Sequence, residues 1–141
     1  MESKKTLHPL FEIFLLLILF ILQAYLAFFE DIEHMRDPFS SFEEEVVLFS
    51  ILLFLLGMLL FYILKKTKIN WGIQKIIIGC FFALYSFNAN YQIFNGLVAS
   101  WSTFTPEELI HYAIYHSKFS VPFCVSLYFG VMVLYRKFVS N

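Results

Sequence analysis

Glu12 and Lys75 are the two ionisable side chains that fall inside long apolar runs of this 141-residue chain. Charges in such places snorkel to a membrane interface, pair with each other across helices, or pass protons and ions along a path. Each lies within about one helical turn of the same end of its run, so an inner-leaflet ion pair between them is geometrically open. Ser86, Asn88, Asn90 and Gln92 form a second constellation, an intramembrane polar face. Asn88 and Gln92 share one side of a helix and Ser86 and Asn90 another, about 160° away. Carboxamides and hydroxyls in an apolar segment hydrogen-bond to neighbouring helices, line a wet cavity or bind a partner. With polar groups on two sides, the helix that carries them is expected at the centre of its bundle.

Three of the four histidines, His34, His111 and His116, lie near carboxylates, and imidazole nitrogen with carboxylate oxygen is a zinc donor set. The spacing opposes it. His111 and His116 are five residues apart and point about 140° from each other on a helix, whereas Glu107 and His111 share a face. No metal and no cofactor are expected. Cys80 and Cys124 sit at different depths, about 14 Å from the inner end of one run and about 7 Å from the outer end of another, too far apart for a disulfide. Both read as packing thiols. The sequence contains no G-x-S-x-G, H-E-x-x-H, C-x-x-C or phosphate loop and no paired intramembrane carboxylates, so no catalytic residue is assigned and the chain reads as non-enzymatic.

The elements that position these groups follow from composition. The chain is 60% hydrophobic and 15% charged, with 19 Phe and 8 Tyr, and its mean hydropathy is +0.72. Soluble domains average about 45–50% and about 25% for the first two quantities. About 20 apolar residues cross a bilayer, and four runs qualify: about 10–29, 46–64, 71–92 and 119–135. A secretory signal peptide is the competing reading of the first run, but it is too long and lacks a small-x-small cleavage pair. Gly79 with Ala83 and Ser126 with Gly130 are small-residue pairs that suit close helix approach.

Lys and Arg set the orientation. Lys4, Lys5, Lys65, Lys66, Lys68, Lys75, Arg136 and Lys137 fall on one side, Arg36 and Lys118 on the other. Both termini are therefore expected to be cytoplasmic, in a bacterial inner membrane. The outer side carries an acidic loop, with Glu30, Asp31, Glu33, Asp37, Glu43, Glu44 and Glu45 against a single Arg36. It could recognise a basic partner or simply solvate the outer face. Thr105 as cap, Pro106 in the first turn, and Glu107 and Glu108 at the positive end of the dipole start a helix. It is expected to lie on the surface over about 106–117, as a connector or a lid, and to end near Ser117 before Ser120 and Pro122 restart the chain.

The expected fold is all-α: one polytopic membrane domain of four transmembrane helices in an antiparallel bundle, plus that short external amphipathic helix. In size, four-crossing topology and internal termini the chain is similar to immunity proteins against pore-forming bacteriocins, and equally to other small four-helix bacterial membrane proteins. The resemblance implies a protein that intercepts a toxin within the membrane. The functional expectation is binding of another membrane protein, toxin or lipid, with membrane lipid and either a protein partner or a homo-oligomer as partners and no nucleic acid. The alternative is a small oligomeric channel or transporter with a polar path on the third helix.

Overall fold

A computed structural model of the chain describes residues 8–32, 41–97 and 104–140. Four helices carry the described residues: α1 (Pro9–Ala27), α2 (Phe42–Lys66), α3 (Trp71–Leu97) and α4 (Pro106–Ser140). All four are long and apolar enough to cross a membrane.

Their starts are written in short polar side chains that take up amide groups a helix leaves unsatisfied. His8 Nδ1 accepts from the Leu10 amide at 3.3 Å, with Pro9 in the first turn. Ser41 and Glu44 form a reciprocal capping box at the start of α2, at 3.3 and 3.0 Å. Asn70 accepts from the Gly72 amide at 2.9 Å ahead of α3. Thr105 and Glu108 repeat the reciprocal arrangement at α4. In α2, Glu43–Glu45 occupy the first turn and Lys65 and Lys66 the last, which complements the helix dipole at both ends.

The helices bury narrow stripes and turn large apolar side chains outward. On α1 the inward stripe is Glu12, Ile13, Leu16, Leu19, Phe20, Gln23 and Ala24, while Phe11, Phe14 and Ile18 face out. α2 buries little beyond Phe42, Val46, Leu53, Gly57 and Leu64, and Val47, Ile51, Leu55 and Leu59 face out. Such surfaces suit a hydrocarbon surround, where helices are stable because their backbone groups are satisfied internally.

Two expectations are corrected. The segment 106–117 is not a separate surface helix, because α4 continues through Ser117 and Pro122 to Ser140. One face stays buried throughout, in the order Leu109, Ala113, Ser117, Ser120, Cys124, Tyr128 and Met132, so packing holds the axis. Pro122 is exposed on the opposite side. Its missing N–H costs one intrahelical bond, and nearby serines bond back to the helix, Ser120 Oγ to the His116 carbonyl and Ser126 Oγ to that of Pro122.

Glu43, Glu44 and Glu45 belong to the first turn of α2 rather than to a loop, because Ser41 caps the helix ahead of them. α1 and α3 each pack on all three other helices, and α1 is the most buried of the four, at 44% of its membrane window against 17–33% for the others. Only one of the two polar sides of α3 is covered.

Candidate functional site

The polar groups of the interior are gathered where α1, α3 and α4 meet. At one end, the Lys75 ammonium stands 2.5 Å from Glu12 Oε2, and the Tyr128 hydroxyl donates to Glu12 Oε1 at 2.5 Å. All three residues are buried. A carboxylate out of water is tolerable only with such partners on both oxygens. Trp71 closes this end, with Lys75 Nζ 5.7 Å and the Arg136 guanidinium 5.1 Å from its ring centre, a cation–π arrangement.

A second layer lies three helical turns away. Gln23 and Asn90 exchange two hydrogen bonds, Nε2 to Oδ1 at 3.1 Å and Nδ2 to Oε1 at 3.0 Å. Asn90 Nδ2 also donates to Ser117 Oγ at 2.9 Å, and Ser120 Oγ stands 3.5 Å from Gln23 Oε1. Ser86, one turn from Asn90, has a buried hydroxyl with no hydrogen-bond partner. Beyond this layer His116 Nδ1 meets the Ala27 carbonyl at 2.9 Å and its Nε2 faces Asp31 at 3.6 Å, with the ring over Phe28. That contact ties α4 to the end of α1.

The structure thus brings Glu12 and Lys75 together and splits the intramembrane polar face in two. Ser86 and Asn90 are buried, whereas Asn88 and Gln92 are exposed on the outer side of α3. Among the seven carboxylates assigned to the acidic loop, Glu30 and Asp31 lie in the turn after α1, and Glu33 and Asp37 fall outside the described residues. So does His34. His111 is exposed on α4, away from the contacts of His116, and the described residues hold no group of three metal-donor side chains. Cys124 is buried as a packing thiol, but Cys80 faces outward.

Reading residue types along one helix at a time overlooked Tyr128, Gln23, Ser117, Ser120 and the role of His116. A signal was present. Glu12 and Gln23, Lys75 and Ser86, and Ser117 and Tyr128 are each separated by 11 residues, about three turns, so each pair shares a face.

No protein family, curated protein or solved structure matches the chain. Chemistry must therefore be read from the geometry. Apart from the Ser86 hydroxyl, both interior layers are bonded within themselves: Glu12 meets Lys75 and Tyr128, and the amides of Gln23 and Asn90 pair with each other. Between α1 and α2 a groove of about 510 Å³ is lined by Leu17, Ile21, Val47, Ile51 and Phe54, with Tyr25, Ser50 and Glu43 its polar members. Its chemistry suits an acyl chain better than a polar reactant.

Proposed function

We propose that this is a non-enzymatic integral membrane protein that acts by binding another membrane-embedded protein side-on, through the outer face of α3. Its four helices form an antiparallel bundle with both termini on the Lys- and Arg-rich side. The contacts support that arrangement. Glu12 and Gln23, ascending α1, meet Lys75 and Asn90 ascending α3, but Tyr128 and Ser120 descending α4. Phe42 at the start of α2 packs on Phe28 at the end of α1.

The observation that carries the functional reading is the contrast between the two polar sides of α3. Asn90 is spent inside the bundle, whereas Asn88 and Gln92 are exposed and have no hydrogen-bond partner among the described residues. Polar side chains on a lipid-facing surface are costly alone and act as glue between helices. The alternative, a small oligomeric channel or transporter, would take its polar path from Asn88, Asn90 and Gln92 of α3. The bonding of Asn90 to Gln23 and Ser117 inside the bundle favours a structural role for that residue and interrupts such a path.

A mild-detergent pull-down from native membranes, with mass spectrometry and the particle mass of the complex, tests this. A stoichiometric partner that is lost in Asn88→Leu/Gln92→Leu supports the reading. Liposome conductance that changes with Asn90→Ala would replace it with the channel.

A further inference from the structure

The outward side of α3 is a single stripe with an abrupt change of chemistry. Exposed positions recur at Ile73, Ile76, Cys80 and Leu84, then at Asn88, Gln92 and Asn95. Three or four residues separate each from the next, so the exposed line winds slowly round the helix, with Leu84, Asn88, Gln92 and Asn95 within about 80° of one another and Ile76 about 160° from Gln92. The inner half is apolar and the outer half is carboxamide. No charge occurs anywhere along it.

The amides still lie within the apolar belt. Asn90 marks the level at which Gln23 of α1 and Ser117 of α4 meet α3. Three residues beyond that level on α1 is Leu26, 45% exposed, and an equal step along α4 reaches Ile114, 51% exposed. Gln92 is two residues beyond it and Asn88 is short of it. Apolar side chains therefore face outward on the neighbouring helices at and past the depth where α3 presents two amides, beside the exposed Lys118, whose ammonium lies over the Tyr115 and Phe119 rings.

We infer that the occupant of this stripe is a second copy of the same chain, packed α3 against α3 about a two-fold axis parallel to the helices. The inference rests on the side-on binding reading and names its partner. A carboxamide carries both donor and acceptor, so it is complementary to itself, and Gln23 with Asn90 shows the reciprocal pairing within this bundle. In a parallel pair each residue faces its own counterpart: Leu84 meets Leu84, Asn88 meets Asn88 and Gln92 meets Gln92. An antiparallel pair would set the amides against Ile73 and Ile76. All copies insert with one topology when Lys and Arg are distributed so unequally, and that topology leaves the parallel register as the one available. A two-fold interface of this kind is isologous. The uncharged stripe offers nothing to a partner selected by charge.

The test uses the full chain in phosphatidylethanolamine/phosphatidylglycerol vesicles, with subunits counted by single-molecule photobleaching as the protein is diluted in lipid. A short bis-maleimide reports the register, because Cys80 lies on the stripe and Cys124 is buried. The expected result is a dimer that cross-links through Cys80, survives Cys124→Ser, and loses the cross-link in Cys80→Ser. Asn88→Leu/Gln92→Leu should weaken dimerisation about tenfold, the effect of losing two interhelical hydrogen bonds, with its thermal melt retained because neither side chain packs inside the bundle. A monomeric wild type, or a dimer indifferent to the double substitution, overturns the inference. If the wild type is monomeric but a different membrane protein co-purifies and is lost in the double variant, only the second-copy assignment fails. If the double variant changes neither experiment, side-on binding through α3 fails with it.

Discussion

Glu12 and Lys75 stand 63 residues apart in the chain and 2.5 Å apart in space, and the second oxygen of the same carboxylate accepts from Tyr128 on a third helix. One ionised side chain near the start of α1 thereby holds α3 and α4 in register. Removing either charged partner leaves the other buried without its counter-charge.

Glu12→Gln and Lys75→Met are each expected to destabilise the detergent-solubilised protein by about 3 kcal/mol. The double variant should cost clearly less than the sum, because it leaves no stranded charge. Tyr128→Phe should cost about 1.5–3 kcal/mol, as for a hydrogen bond to a charged group. Unfolding in mixed micelles measures all four, and an additive double variant would show that the two charges act independently.

The amide layer is worth less per bond. Asn90 joins two hydrogen bonds with Gln23 and one with Ser117, so Asn90→Ala should cost about 2 kcal/mol at the roughly 0.6 kcal/mol average found between membrane helices. Gln23→Leu combined with Asn90→Leu should recover much of that, since paired apolar replacement removes both unmet partners. The same melts would refute this if the double variant were the least stable.

Gly79 sets how closely α3 and α4 approach. A Cβ there would stand 2.5 Å from Phe129 Cζ and 2.9 Å from its Cε2. Gly79→Ala is therefore expected to destabilise by about 1–3 kcal/mol through overpacking. Phe129→Leu, which removes the atoms in conflict, should rescue it. Failure of that rescue in a thermal melt would place the cost of Gly79→Ala elsewhere.

The continuity of α4 can be read by cysteine scanning in a Cys80→Ser/Cys124→Ser background. Positions 109, 113, 117, 120, 124, 128 and 132 should be protected from maleimide, and their neighbours Ile114, Phe119, Phe123 and Leu127 should not share that protection in detergent. An interruption of this period at 117–119 would restore a surface helix followed by a separate crossing.

Much of the architecture is legible along the chain because it depends on local quantities. Apolar runs long enough to cross a bilayer, the segregation of Lys and Arg from Asp and Glu, and the Thr105–Pro106 helix start each need only a few neighbouring residues. The false break at Ser117 arose for the same reason. Two serines and a proline look like a restart, yet the buried stripe through Ser117, Ser120 and Cys124 keeps the helix whole, and small polar side chains give little hydropathy signal on a packed face. Residues 43–45 lie below the hydropathy that marks the apolar run, which begins at Val46, whereas the capping box of Ser41 and Glu44 starts the helix one turn earlier, as Thr105 and Glu108 do for α4.

What the sequence by itself determined is where the chain can leave water: four stretches whose hydrophobicity and length meet the thickness of a bilayer, and which ends carry the positive charge. Only the tertiary structure decided which polar residues are spent inside and which are left to an outside partner. Asn88 and Asn90 are the same residue type two positions apart, and their roles diverge because α1 brings Gln23 to one side of α3 and nothing among the described residues to the other. That choice depends on the rotation of each helix about its axis, a property of the packed set that no single helix encodes.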